Sequence, residues 1–217
     1  MPIALFVLCL SSLAGAQNAN QQTPARNGGD FSNGDFSNNA QPLNKVPPGV
    51  ILVKGAWSSA SDSSTPVPEG GKLENSVFTN QYFGITYPFP VDWEEKYEGP
   101  PPSDTGRYVL AQLSPTDKFK GPARGTILIT AEDMFFTPLP AKNALELVNF
   151  SRRHLQADYQ VEMPPTTTRI AQRPFTFFAY WSPIAQLHWY VLATEIRCHA
   201  VNIILSSRDT KLLENLT

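Results

Sequence analysis

The chain has 217 residues, of which 17% are charged, and its formal net charge is −2. This near balance excludes a nucleic-acid binder that works through bulk positive charge, so we expect no nucleic-acid partner. Two cysteines and three histidines are too few for a disulfide-rich scaffold or a multi-histidine metal site. We therefore also expect no bound metal and no cofactor.

Residues 1–16 have the features of a signal peptide. Residues 2–13 are apolar and uncharged, but about 12 residues are too few to span a bilayer, which takes about 20. Ala14 and Ala16 place small residues at the two positions that a signal peptidase reads. The sequence thus predicts an exported protein, periplasmic or secreted, whose mature chain begins at Gln17 and has no transmembrane span.

Residues 17–71 have the composition of a disordered linker. Asn, Ser, Gly, Pro and Gln make up more than half of this segment, which buries too little apolar surface to offset its conformational entropy. Residues 50–57 interrupt it with an apolar run. That run has two interpretations: a strand that docks on the folded domain or on a partner, or a local apolar patch in the linker.

Residues 72–217 are numerous enough for one domain with its own core, and strand patterns dominate them. Apolar side chains alternate with other residues from position 83 to 89, which is typical of a half-buried strand ended by prolines. Residues 108–113 and 126–130 are predicted as two further strands that pair antiparallel.

A helix is predicted to follow these strands. Asn143 is a suitable N-cap, and Ala144, Leu147 and Val148 begin one apolar stripe. Asp209 is expected to cap a second, short helix at the C-terminus.

More strands are predicted between the two helices. Residues 166–171 and 175–181 are strand-like, with a turn expected at Arg173 and Pro174. Residues 187–207 are too long for one ordinary strand, so we expect a break near 195–198 that folds them into a hairpin.

This order of elements predicts an α+β fold, an antiparallel sheet flanked by helices and preceded by the disordered linker. Residues 82–93, YFGITYPFPVDW, resemble the opening strand of the PsbP-like family, in which an aromatic strand runs into a proline and then a tryptophan. The resemblance implies the α/β/α sandwich of that family. The chain as a whole also resembles secreted bacterial proteins with no assigned activity. Neither resemblance supplies catalytic or binding residues.

His188, Cys198 and His199 are the residues best suited to metal or thiol chemistry. Imidazole and thiolate are zinc and copper ligands, and a cysteine beside a histidine is a possible nucleophile. However, neighbouring strand residues such as Cys198 and His199 point to opposite faces, so both bind one metal only at a bulge. The alternative is that these side chains make ordinary core contacts and hydrogen bonds, and we expect no metal site.

Five aromatic residues are candidates for a ligand site: Trp93, Tyr97, Tyr108, Trp181 and Trp189. The first three frame a segment with three consecutive prolines, and a stiff loop costs little entropy to order when it binds a ligand. Trp181 and Trp189 lie in predicted strands. The alternative is that all five rings form the core of the domain.

We expect a non-catalytic binding or accessory module of the cell envelope, with an unknown protein, peptide or small molecule as its partner. The alternative is an enzyme, thiol or metal-dependent, that uses His188, Cys198 and His199. A third class, a subunit of an envelope assembly, would be indicated by an exposed apolar edge strand or by docking of residues 50–57.

Overall fold

The structure, a computed structural model, describes residues 47–54, 64–98, 106–120 and 125–217. The predicted signal peptide at 1–16, most of the predicted linker and the three prolines at 100–102 lie outside the described residues.

Two small sheets come first along the described chain. Strands β1 (Val50–Lys54) and β2 (Ser64–Pro68) pair antiparallel. Strands β3 (Lys72–Glu74), β4 (Val77–Asn80) and β5 (Ile85–Pro88) form a three-stranded antiparallel sheet. β1 contains part of the apolar run 50–57, and Val67 of β2 is buried in the core. The β1–β2 pair therefore packs on the domain. It does so although it lies in the segment predicted to be a linker.

A seven-stranded antiparallel sheet forms the centre of the domain. Its strands are β6 (Trp93–Glu98), β7 (Arg107–Pro115), β8 (Gly125–Asp133), β9 (Gln160–Ile170), β10 (Arg173–Ser182), β11 (Leu187–Ile196) and β12 (His199–Ser207). The spatial order is β6-β7-β8-β12-β11-β10-β9. Two meanders therefore meet where β8 pairs with β12, and β6 and β9 are the edges.

Helix α1 (Ala144–Arg153) packs on one face of this sheet. As predicted, the Asn143 side chain caps it, because Oδ1 accepts a hydrogen bond of 2.9 Å from the backbone N–H of Glu146. The apolar stripe of α1 is buried against one side of β10, β11 and β12 in a first core cluster, made of Ala141, Ala144, Leu147, Val148, Phe178, Tyr180, Ala193 and Ala200.

The second and larger core lies on the opposite face of the sheet. Helix α2 (Thr210–Leu216), capped by Asp209 as predicted, and the β3–β5 sheet both contribute to it. Its fully buried members include Phe78, Phe83, Ile127, Ile129, Leu192, Leu205 and Leu213. The Tyr87 hydroxyl joins the two contributing elements, since it donates a hydrogen bond of 2.6 Å to the carbonyl of Leu216. Of the two helices in the described part of the chain, neither is long and apolar enough to cross a membrane.

The predicted α+β class, a sheet flanked by helices in a PsbP-like sandwich, is wrong. The described residues form twelve strands and two short helices, of 10 and 7 residues. Strands about 4.8 Å apart make a seven-stranded sheet roughly 30 Å wide, whereas one helix covers only about 10 Å. The face opposite α1 is accordingly covered in large part by the β3–β5 sheet, and the fold is mostly β.

The predicted turn at Arg173 and Pro174 is also wrong. Ala171 and Gln172 form the turn, with φ of 46° and 66°, and Arg173 already begins β10. Pairing of β10 with β11 starts only at Thr176, so the missing N–H of Pro174 breaks no ladder bond on that side. The hairpin predicted within 187–207 is confirmed, and its turn lies at residues 197–198.

Candidate functional site

The candidate site lies on the face opposite α1, on the half of the large sheet formed by β9, β10 and β11. Phe178 and Tyr180 of β10 belong to the core under α1. Because neighbouring strand residues point to opposite faces, Phe177, Ala179 and Trp181 point away from α1. About 13 Å separate the Cα atoms of Phe177 and Trp181 along an extended strand, and the buried residue Ala179 lies between them.

Two pairs of rings lie around Ala179. Tyr190 of β11 lies opposite Ala179, and His188 lies opposite Trp181. The Tyr190 ring meets Phe177 edge to face, with centroids 5.2 Å apart at 89°. The His188 ring lies nearly parallel to Trp181, with centroids 6.0 Å apart at 21°. All four rings are half-buried, so part of each remains accessible, while Ala179 between them is only 3% exposed; we call this group of four rings the aromatic cleft.

A β-bulge brings Glu162 to the aromatic cleft. Val161 and Met163 of β9 lie opposite two successive residues of β10, so Glu162 is an extra residue in the pairing. A bulge redirects the side chain that it carries, and both carboxylate oxygens of Glu162 lie 2.9 Å from Nδ1 of His188. A carboxylate accepts hydrogen bonds, so Nδ1 carries the proton and Nε2 is the acceptor of the neutral ring.

The aromatic cleft also carries negative charge. Burial, and then the charges of Glu214 on α2 and of Glu162, raise the pKa of Tyr190. Within the described part of the chain Glu214 makes no ion pair, and Glu162 pairs only with His188. The site therefore combines aromatic surface with the carboxylate of Glu162, which pairs with His188 and, within the described residues, with no lysine or arginine.

Two of the five aromatic residues proposed from the sequence lie on opposite faces of the sheet. Trp181 belongs to the aromatic cleft. Trp189 pairs with Tyr180 on the α1 side, where the two rings stack with centroids 5.3 Å apart at 8°. Trp189 thus helps to form the core under α1 and does not reach the cleft.

The remaining three lie elsewhere. Trp93 and Tyr108 are core residues, 7% and 3% exposed. Trp93 borders a shallow depression of about 530 Å³ formed by residues 92–94 and 116–118, and its buried indole N–H has no hydrogen-bond partner among the described residues. Tyr97 belongs to the edge strand β6, and its side chain is outside the described part of the chain. The structure therefore does not gather the five residues into one site.

His188, Cys198 and His199 do not converge either. His188 pairs with Ser207, and His199 pairs with Ile196 at the other end of the same hairpin. Eight strand residues, roughly 26 Å, separate the two histidines. Cys198 is exposed in the turn beside His199. In the described ranges no group of three His, Cys, Asp or Glu side chains is placed to hold a metal ion.

His199 instead connects the seven-stranded sheet to the β3–β5 sheet. It is 6% exposed, and its Nδ1–H donates a hydrogen bond of 2.8 Å to the carbonyl of Arg197. Nε2 lies 3.7 Å from a carboxylate oxygen of Asp133. The rings of Tyr82 and Phe83, in the turn before β5, meet the imidazole edge to face at 5.8 and 5.2 Å. These contacts give His199 a structural role.

A scan of the sequence against known protein families found no matching family, and a search of curated proteins found no match. The resemblance of residues 82–93 to the PsbP-like family stays a prediction.

Sequence reasoning missed most of the aromatic cleft. A signal was present in β10, where residues 175, 177, 179 and 181 are Phe, Phe, Ala and Trp, a small residue between large ones on one face. The partnership of Glu162 with His188 had no such signal, because it joins residues 26 positions apart through a bulge.

Proposed function

We propose that this protein is a non-catalytic binding module that holds a small ligand in the aromatic cleft. The observation that carries the proposal is the group of four half-buried rings around Ala179, with the carboxylate of Glu162 hydrogen-bonded to one of them. A soluble domain normally buries such rings in its core. Partly accessible rings with a carboxylate beside them provide both the apolar contact and an orienting polar group for a ligand.

An enzyme is the second candidate, and one observation favours it. Glu162 orients His188 and leaves Nε2 free to accept a proton, which is how a carboxylate prepares a histidine as a general base. The hydroxyl nearest in register belongs to Ser207, which is fully buried and accepts a hydrogen bond from the backbone N–H of Asp209. A buried hydroxyl is not an accessible nucleophile, so we favour binding.

The proposed module acts outside the cytoplasm, in the cell envelope or the medium. This part of the proposal is supported by residues 1–16, with their apolar run and the small residues Ala14 and Ala16. Mass spectrometry of the protein recovered from a secretion-competent host should give a mature N-terminus at Gln17. An uncleaved chain that stays in the cytoplasm would contradict export.

A ligand screen tests the binding function. Small probes of three classes, neutral sugars, organic cations and organic anions, are titrated against the full chain with ligand-observed NMR. At least one class should show saturable binding that Trp181→Ala abolishes, and the probe should be recovered chemically unchanged. Conversion of the probe would instead favour the enzyme.

Two further variants make this test specific. Ala179→Leu keeps all four rings but displaces them, because Ala179 is buried between them, and should also abolish binding. Trp189→Ala removes a ring from the opposite face and should leave binding intact, provided that circular dichroism shows each variant to be folded. Binding that survives both Trp181→Ala and Ala179→Leu, or no binding in any class, would overturn the proposal.

A further inference from the structure

We propose that strand β1 is a docking edge for a second copy of this chain, whose own β1 pairs with it antiparallel about a two-fold axis. The edge belongs to the apolar run at residues 50–57 and shares no residue with the aromatic cleft. Three features support the pairing: the direction of the backbone hydrogen bonds of β1, the protection of every other sheet edge in the described part of the chain, and the symmetry of β1 paired with itself.

The backbone of β1 presents hydrogen-bonding groups away from β2. The N–H of Glu69 donates to the carbonyl of Gly49, in the register that continues through both strands. Antiparallel pairs alternate between those that exchange hydrogen bonds and those that do not. Ile51 and Val53 therefore bond to β2, whereas Leu52 directs its N–H and its C=O away from it. Within the described residues these two groups of Leu52 have no partner.

Prolines block the corresponding groups of β2. Pro66 lies opposite Leu52, and Pro68 lies opposite Val50, so the nitrogen of each proline points away from β1. Proline has no N–H, and on an outer edge it prevents another strand from pairing. The two-stranded sheet thus has one closed edge, at β2, and one open edge, at β1.

The other sheet edges of the described residues are protected as well. β6 has charged residues at four of its six positions, and β9 contains two consecutive prolines. β3 has only three residues, two of them charged, and β5 has four residues and ends at Pro88. Short strands, charges and prolines are the usual means that keep an edge strand from pairing with another chain. β1 has no proline and, before Lys54 at its end, no charge.

A second copy suits this edge because β1 is complementary to itself. A two-fold axis at Leu52 places Leu52 of one copy opposite Leu52 of the other, and each then donates one hydrogen bond and accepts one. The same register places Lys54 opposite Val50 of the second copy, so the two lysines do not oppose each other. Pairing with β2 already holds β1 extended. Two copies therefore associate without ordering new chain, whereas a free peptide loses entropy.

The side chains of β1 favour the same contact. Ile51 is 39% exposed and Leu52 is 55% exposed, and neighbouring strand residues point to opposite faces. A second strand beside β1 covers part of both apolar side chains. The contact is nevertheless small, since five extended residues measure about 17 Å. It buries less than the about 1,200 Å² typical of stable complexes, so we expect a weak, reversible dimer.

Sedimentation velocity of the full chain over a wide range of concentration tests the pairing. The average mass should rise toward that of a dimer as the concentration increases. Leu52→Pro removes the outward N–H of β1 without removing a bond to β2, as Pro66 does on the facing strand, and should keep the chain monomeric. Leu52→Val retains the N–H and an apolar side chain and should still dimerise.

Charged variants test the symmetry of the dimer. Because Leu52 lies opposite itself, Leu52→Lys and Leu52→Glu each place like charges opposite each other, and each should abolish the dimer. An equimolar mixture of the two should restore it, since every lysine then faces a glutamate. Ile184→Lys is the control, because Ile184 is also an exposed apolar residue but lies in the turn between β10 and β11. It should dimerise like the unsubstituted chain, and circular dichroism checks that every variant is folded.

The contrary outcomes are distinct. A chain that stays monomeric at its highest soluble concentration would overturn the proposal, as would a dimer that Leu52→Pro and Leu52→Lys leave unchanged. If the mixture of Leu52→Lys and Leu52→Glu does not associate, the two-fold pairing at Leu52 is wrong. If the chain stays monomeric but binds a synthetic peptide of residues 50–54, the edge takes a free peptide and not a second copy. Binding at the aromatic cleft is unaffected by any of these results, since Trp181→Ala tests it separately.

Discussion

Glu132 of β8 is a buried carboxylate, 6% exposed. It lies opposite Ala200 of β12, which belongs to the core under α1. Burial raises its pKa above the ordinary 4.5, while a hydrogen bond from the Thr137 hydroxyl and the charge of Arg107 oppose the rise. A group whose pKa is raised by folding contributes stability below its unfolded pKa and loses it as the pH rises through the folded-state pKa. We predict that Glu132→Gln raises the melting temperature at pH 7 and leaves it unchanged below about pH 4.

Thermal unfolding followed by circular dichroism between pH 4 and pH 8 checks this. Glu195→Gln, an exposed residue, serves as the control and should change little at any pH. A lower melting temperature for Glu132→Gln at pH 7 would mean that Arg107 and Thr137 stabilise the carboxylate by more than burial costs.

Tyr87 couples the β3–β5 sheet to the C-terminal end of α2. Its hydroxyl donates to the carbonyl of Leu216 at 2.6 Å, and burial raises its pKa well above 10. Tyr87→Phe removes this bond and leaves a buried carbonyl without its donor, so we predict a loss of about 1–2 kcal/mol in the free energy of unfolding at pH 7.

The same bond has a defined pH dependence. Because the pKa of Tyr87 is raised in the folded state, its contribution is present below pH 10 and is lost as the pH rises further. The stability difference between wild type and Tyr87→Phe should therefore shrink in urea unfolding at pH 11. Tyr180→Phe is the control for the hydrogen bond: its hydroxyl makes none within the described residues, so the variant should lose less stability at pH 7. It should show a similar change with pH, because burial also raises the pKa of Tyr180. A constant difference across this pH range would show that folding does not raise the pKa of Tyr87.

At the scale of elements, the two-residue turn between β9 and β10 is strained. Ala171 and Gln172 both have positive φ, 46° and 66°, a conformation that favours Gly or Asn. For a residue with a side chain this conformation costs about 1–2 kcal/mol. We predict that Gln172→Gly raises the free energy of unfolding by about 1 kcal/mol, the strain relief being partly offset by a more flexible unfolded chain.

Urea unfolding of Gln172→Gly and of Gln156→Gly compares glycine at the strained turn with glycine at an unstrained position. Gln156 is exposed too but has no positive φ, so glycine there should lower the stability. If both variants are destabilised alike, the turn holds no strain that glycine can relieve.

The elements that the sequence predicts well are those decided by near neighbours. Asn143 and Asp209 cap their helices as their residue types indicate, and the alternation from Phe83 onward matches the buried side chains of β5. The turn at residues 171–172 could not be predicted in this way. Neither Ala nor Gln favours positive φ, and the pairing of β9 with β10 imposes it.

At the scale of the whole molecule, long-range pairing determines what the sequence could not show. The two meanders meet through β8 and β12, strands some 70 residues apart in the chain, as the hydrogen bond from Asn202 to Thr130 illustrates. No local sequence pattern indicates which distant strand a given strand pairs with. Trp181 was therefore recognised as a candidate ligand contact from its residue type, while Glu162 and Tyr190 were not.

The same long-range contacts set the N-terminal boundary of the folded domain. The backbone N–H of Glu69 donates to the carbonyl of Gly49 at 2.8 Å, and the Asn80 amide donates to the carbonyl of Glu69 at 2.8 Å. Gly49 has φ of 81°, and a Cβ added there would lie 2.2 Å from the backbone nitrogen of Tyr82. With Val67 buried as well, the β1–β2 pair is fastened to the β3–β5 sheet at several points.

We therefore predict that limited proteolysis leaves a resistant fragment that begins near Pro47, since proteases cut exposed chain that packing and hydrogen bonds do not hold. Composition alone places this boundary near residue 72, at the end of the predicted linker. Mass spectrometry of the fragment distinguishes the two positions. Gly49→Val, whose side chain collides with the backbone at Tyr82, should loosen β1 and move the cut toward residue 72, while Pro48→Ala at the exposed neighbour should not. A wild-type fragment that begins near residue 72 would show that the β1–β2 pair is not part of the stable domain.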